Sequence, residues 1–272
     1  MSMGIMQGRL LPPVNGKLQA FPHQRWMEEF PLAGELGLKA IEWVYDYDDY
    51  INPLEKRQDI DQMRRISAKT GVKVNSICAD FFVRYPLLRT TEYREARVNF
   101  LHWLISICSY AGIKRVVIPF VDANAIHTQD ELIEISALMD LICPSAKARG
   151  IEIHFETNLG AMDMLRLLKK VQQWDCIYIC YDTGNSASFD RDPEEEWEAY
   201  AKAIGSIHIK DRMIGGISVP LGTGNVQWDK ISALIKKYKY GGDLILQPAR
   251  GKEGEEVEWT KKNIEFLKGI LA

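Results

Sequence analysis

Short apolar runs alternate with longer segments of helical periodicity along this chain, and the alternation repeats eight times. The runs are rich in Ile, Val and aromatic residues, which suits strands, and the spacing predicts them over Gly4–Leu10, Lys39–Tyr45, Val72–Ala79, Arg115–Phe120, Ile151–Glu156, Ile177–Asp182, Gly205–Lys210 and Asp243–Gln247. Helices are predicted over Pro22–Leu36, Asn52–Thr70, Thr91–Ala111, Gln129–Arg149, Gly160–Trp174, Pro193–Ile204, Trp228–Tyr240 and Glu255–Leu271. Several of them stop at a glycine: Gly37, Gly71, Gly112 and Gly150. Strands that alternate with helices pair in parallel through right-handed crossovers. Eight such units in 272 residues fit a closed (β/α)8 barrel of the α/β class, which takes about 250 residues, better than an open sheet. No composition shift or linker divides the chain, so residues 1–272 are expected to form a single barrel domain. No Gly-x-Gly-x-x-Gly follows the first strand, which argues against a dinucleotide site.

Composition narrows the function classes. Hydrophobic residues make up 46% and the net charge is −3, so a large core is available and no basic stripe invites nucleic acid. The start of the chain carries no basic segment followed by an apolar run, and no stretch is long and apolar enough to span a membrane; a cytoplasmic protein is expected. The five cysteines are odd in number and form no Cys-x-x-Cys pair, which fits reduced, buried side chains.

In barrels of this kind the chemistry sits at the C-terminal ends of the strands. Those ends carry Gln7, Glu42, Asp80, Glu156, Asp182 with Asn185, His208 with Lys210 and Asp211, and Gln247 with Arg250. Each has a bland reading. Asp182 before Thr183-Gly184-Asn185 suits a turn or a helix cap, His208 alone suits a satisfied core histidine, and His154, deeper in its strand, is read as structural. Glu156, Asp182 and His208 close three consecutive strands, however, and side chains of these types converging at one rim suit a divalent metal ion.

The chain resembles a xylose isomerase-like TIM barrel of the sugar phosphate isomerase/epimerase family. The resemblance rests on Gly4-Ile-Met-Gln-Gly-Arg-Leu10, Glu156 after its apolar run, Tyr181-Asp182-Thr-Gly-Asn185, His208-Ile-Lys-Asp211 and Pro220-Leu-Gly-Thr-Gly-Asn225. It implies metal ligands at Glu156, Asp182 and His208, with a fourth from the eighth strand. That position is a second glutamate in the family and falls here on Gln247. It also implies that Glu156 and the eighth-strand residue form the catalytic pair. Because a carboxamide cannot take a proton near neutral pH, the reading favours one-base isomerisation unless Asp80 or Glu42 reaches the opposite face of the substrate.

The implied reaction moves a proton next to the carbonyl of a sugar or sugar phosphate through an enediolate, with Mn²⁺, Mg²⁺, Co²⁺ or Zn²⁺ as cofactor. Gln7, Glu42, Asp80, Asn185, Lys210, Arg212 and Arg250 are the expected substrate-binding residues. The glycine-rich segment from Met213 to Val226 is expected to act as a lid. The competing readings are a sugar-binding barrel without catalysis, a lyase or dehydratase on a keto-polyol, and a phosphodiesterase of the endonuclease IV type, which requires more histidines. A small-molecule partner is expected, with neither nucleic acid nor membrane, and homo-oligomerisation is left open.

Overall fold

In the computed structural model, which describes residues 1–46, 50–89 and 92–272, every predicted strand is present. In chain order they are β1 (Ser2–Met6), β2 (Ala40–Val44), β3 (Lys73–Cys78), β4 (Arg115–Phe120), β5 (Glu152–Thr157), β6 (Ile177–Asp182) and β7 (Ile204–Ile209), then the short pair β8 (Asp211–Arg212) and β9 (Ser218–Val219), and finally β10 (Asp243–Leu246). The long strands close a parallel barrel in the order β1-β2-β3-β4-β5-β6-β7-β10, and β10 pairs back onto β1 with Ser2 opposite Asp243. β8 and β9 form a separate antiparallel hairpin.

The helices are α1 (Glu29–Glu35), α2 (Arg57–Thr70), α3 (Phe81–Arg84), α4 (Arg94–Ala111), α5 (Gln129–Ala148), α6 (Ala161–Lys170), α7 (Thr183–Ser188), α8 (Pro193–Tyr200), α9 (Trp228–Lys237) and α10 (Glu256–Leu271). One continuous core runs between barrel and helices, from Ile5, Ile41 and Trp43 to Ile207, Ile245 and Leu267, all of them fully buried. Strands covered on both faces by side chains read as near-continuous apolar runs, which is why periodicity found them. All five cysteines are buried free thiols.

The differences from the sequence reading are local and have local causes. The helix expected over Pro22–Leu36 begins late, because Arg25 N bonds to Pro22 O and turns the chain before Trp26. The helix expected from Asn52 breaks at Lys56, whose extended backbone separates a turn capped by Asn52 from α2. Thr91, the expected start of the third helix, lies outside the described residues; α4 begins at Arg94.

The Met213–Val226 segment is not a free lid in this structure. Asp211 accepts hydrogen bonds from the backbone N–H groups of Gly222, Gly224 and Val226 and from Trp228 Nε1, and the β8–β9 hairpin ties the other end. A side chain at Gly224 would collide with the Asp211 carboxylate, so this glycine serves close packing. The hairpin tip from Met213 to Ile217 is exposed along most of its length, as are Pro220, Gly222, Thr223 and Asn225.

Candidate active site and metal centre

β5, β6 and β7 are adjacent strands, and the register places Asp182 beside His208. Glu156, Asp182 and His208 thereby each offer a ligand atom within 4.8 Å of the others, and all three are buried. His208 Nδ1 lies 3.6 Å from Glu156 Oε2 and 4.0 Å from Asp182 Oδ2. Among the described residues this is the metal-type cluster found, and its single histidine does not make a multi-histidine phosphodiesterase centre.

The donor set fits a divalent ion on two further counts. His208 Nδ1 and Gln247 Oε1 are buried and have no hydrogen-bond partner. Such orphaned acceptors cost about 1–3 kcal/mol each unless something meets them. Nε2 sits 2.6 Å from Glu42 Oε1, so the neutral ring would keep its proton there and present the Nδ1 lone pair to the carboxylates; without an ion, burial is outweighed by Cys180 and Glu42, which push the imidazole well above its ordinary range.

The two carboxyl groups of the cluster are held in different states. Burial pushes the Glu156 carboxyl up to about 7; Asp182 adds to this, and His208 and Lys210 oppose it. Burial also raises Asp182, but Lys210 and His208 outweigh it and hold the carboxyl below its ordinary range. Lys210 Nζ lies 3.0 Å from Asp182 Oδ2 and, despite burial, keeps its proton through Asp182 and Glu156. Glu156 is therefore the group able to exchange a proton near neutral pH, while Asp182 remains an anion. Asp182 also accepts from Asn185 N at 2.8 Å and caps α7, as its helix-cap reading expects.

The cluster opens into a cavity of about 390 Å³. Glu156, Lys210, Gln247 and Asp80 line it, as the sequence reading expects, together with Gln19 and Arg9. A second cavity of about 260 Å³, between Pro13 and Trp259, contains none of the cluster.

The other expected substrate-binding residues stand behind this wall. Glu42 is fully buried, with one oxygen on His208 and the other accepting from Ser76 Oγ at 2.6 Å. Gln7 is also fully buried and accepts from Val44 N. Asn185 Nδ2 donates to Glu156 Oε1 at 2.8 Å, and Arg212 braces Asn185 Oδ1 at 2.9 Å. Arg250 donates to the carbonyls of Gly8, Leu11 and Leu18 and so holds the loop after β1. His154, bonded to Ser206 and Glu152, is structural, as read.

Sequence reasoning missed Gln19. Its amide nitrogen donates to Asp80 Oδ2 at 2.6 Å, and its oxygen accepts from Gln247 Nε2 at 2.9 Å and Arg9 Nη2 at 3.2 Å. It lies in a loop without periodicity or motif, and only the distant Gln247 gives it meaning.

Comparison with known proteins agrees with this geometry. The chain is 23% identical over 234 residues to L-ribulose-5-phosphate 3-epimerase UlaE of Salmonella typhi, covering 82% of this chain and 81% of that protein. D-psicose 3-epimerase from Clostridium cellulolyticum H10, solved with D-tagatose, superposes with a TM-score of 0.76 at 12% identity, covering 100% of this chain and 99% of that one. A xylose isomerase-like TIM barrel protein from Mycobacterium smegmatis, solved in complex with magnesium, gives 0.69 at 18% identity, covering 99% and 97%. Residues 30–270 match the xylose isomerase-like TIM barrel family, and the chain belongs to that family.

Proposed function

We propose that the protein is a sugar isomerase/epimerase that uses a divalent metal ion to enolise a ketose or ketose phosphate. The observation that carries this reading is the buried, unpartnered His208 Nδ1 beside Asp182 and beside Glu156, which itself lines an open cavity. The named relatives, epimerases of ribulose 5-phosphate and psicose, support the substrate class.

Glu156, Asp182, His208 and Gln247 would hold the ion, which when bound supplies the positive charge that makes the C–H next to a carbonyl acidic. The residues of the chain do the rest. Glu156 takes the proton from that carbon and can hand it back. The Lys210 ammonium faces the same cavity and stabilises negative charge developing on substrate oxygen. Asn185, braced by Arg212, keeps Glu156 Oε1 fixed and leaves its other oxygen for chemistry.

The test is titration with Mn²⁺ followed by a panel of ketopentoses, ketohexoses and their phosphates in D₂O. Stoichiometric binding that Asp182→Ala abolishes, with deuterium entering next to the carbonyl, is the expected result. An empty site at excess Mn²⁺ and no exchange with any ketose would sink the proposal. A second reading, a barrel that binds sugar without turnover, is favoured by Gln247 and by the Lys210–Asp182 ion pair, which already occupies one carboxylate oxygen. Sugar binding without deuterium exchange would select it.

A further inference from the structure

Inverting a carbon next to a carbonyl takes two proton carriers, one on each face. Glu156 is one. The eighth strand, where the resemblance expects the other, offers Gln247, which cannot carry a proton. The cavity nonetheless holds a second carboxyl group.

The wall of the site divides into two arcs. Glu156, Asp182 and His208 come from the consecutive strands β5, β6 and β7. The facing arc, across β10, β1 and β3, carries Gln247, Gln19 in the loop after β1, and Asp80 directly after β3. A hydrogen-bonded chain connects these three: Gln247 Nε2 donates to Gln19 Oε1, and Gln19 Nε2 donates to Asp80 Oδ2. Gln247 is thus joined through one amide to a carboxylate on its own side. We propose that Asp80 is the second proton carrier, displaced from the eighth strand to the third and aimed by Gln19.

Other carboxylates are less suited. Glu42 is sealed behind His208, with both oxygens bonded. Asp46 also lines the cavity, but its bonds are to Phe21 N and the Tyr50 hydroxyl and not to the Gln19–Gln247 chain. Asp122 is exposed at the rim. Asp80 is braced without being sealed: Cys78 Sγ holds Oδ1 at 3.1 Å, Gln19 holds Oδ2, and the side chain still lines the cavity. Burial, the largest influence, raises its carboxyl above the ordinary range, which suits a group that must carry a proton. It is also close enough to Glu156 for its charge to add to the upward push there.

The step balances. The Glu156 carboxylate takes the proton from the substrate carbon, leaving an enediolate and a Glu156 carboxylic acid. The Asp80 carboxylic acid then gives its proton to the opposite face of that carbon and becomes a carboxylate. The two groups exchange roles for the reverse reaction, and solvent resets both.

This inference rests on the proposed enolisation, and its test separates the two. Mn²⁺-loaded wild type and Asp80→Asn are compared in D₂O on the ketose that the wild type processes, reading inversion and deuterium exchange separately. The expected result is that the wild type inverts, whereas Asp80→Asn loses inversion by about 100-fold or more. The variant should still exchange the starting epimer with retention through Glu156, within a few-fold of wild type, and Asp80→Glu should restore part of the inversion. Inversion by Asp80→Asn at the wild-type rate would overturn the role of Asp80. So would loss of both readouts with Mn²⁺ affinity and melting temperature unchanged. If the wild type exchanges and forms an aldose without inverting, the enolisation proposal stands and Asp80 falls. If the wild type does not exchange at all, the enolisation proposal itself fails.

Discussion

Glu42 Oε1 lies 2.6 Å from His208 Nε2, and both side chains are completely buried. The partners reach each other across the barrel mouth from β2 and β7. The other Glu42 oxygen takes the Ser76 hydroxyl, so the carboxylate has a donor at each oxygen. Burial opposes its charge, but His208, by charge and by hydrogen bond, and then Ser76 hold its pKa below the ordinary value. Glu42 therefore braces His208 and is shut off from the cavity. Replacing the outer partner of a metal-binding imidazole typically costs 10- to 100-fold in metal affinity. Glu42→Gln is expected to weaken Mn²⁺ binding by about that factor, measured by competition with a chromophoric chelator, and to leave the sugar affinity of the metal-free protein unchanged. Unaltered Mn²⁺ affinity would show that the imidazole needs no such support.

Glu29 gives the fold a dependence on pH. It is fully buried, its Oε1 accepts from Gly8 N and Leu10 N, and its Oε2 has no partner. Burial pushes its carboxyl from 4.5 to about 7, against the pull of those backbone donors and of Arg250 and Arg9, the charged groups that face it. The native state thus binds more protons than the unfolded chain between these values. Stability must then fall as pH rises from about 4.5 to about 7 and level off above. A shift of this size corresponds to roughly 3 kcal/mol. Glu29→Gln keeps the acceptor without the charge. Urea unfolding should find the variant close to wild type at pH 5 and more stable by up to about 3 kcal/mol at pH 8. An equal gap at both pH values would refute the assignment.

Asp211 fixes the segment after β7. Asp211→Ala would leave the N–H groups of Gly222, Gly224 and Val226 and the indole of Trp228 without their acceptor. At about 1–3 kcal/mol per buried unpaired group, even partial rehydration leaves a loss of about 3 kcal/mol or more. In the wild type, hydrogen exchange at those amides should be slow with and without a bound sugar, and any change on binding should be confined to the hairpin tip at Met213–Ile217. Ordering of the Gly222–Val226 amides only upon sugar binding would restore the lid reading.

The barrel was legible because each strand is buried on both faces and so reads as an apolar run, and because at least one helix separates every two successive barrel strands. The ligand cluster was legible because Glu156, Asp182 and His208 all lie within one residue of a strand end. Glu42 was assigned to the wrong depth. It sits two residues before the end of β2, opposite Ser76, one layer below the rim. Strand parity tells which face a side chain takes but not how deep it lies. Asn185, Arg212 and Arg250 were found as members of the neighbourhood, yet their donors point at protein oxygens, a choice made by three-dimensional packing. The glycines after β7 looked like flexibility because sequence shows the missing side chain and not the carboxylate that fills its place.

The hydrogen bond between Gln19 and Gln247 joins residues 228 positions apart, at the seam where β10 meets β1. Pairing of such long sequence separation carries a large loop-closure cost, so it belongs to the late part of folding. Until that seam closes, β1 and β10 each present an open edge, and the arc of the site built from Gln247, Gln19 and Asp80 does not exist. The arc of Glu156, Asp182 and His208 on β5–β7 needs only neighbouring strands. Assembly of the mouth is thereby ordered: the Glu156, Asp182 and His208 cluster can form between neighbouring strands before the wall that faces it is in place.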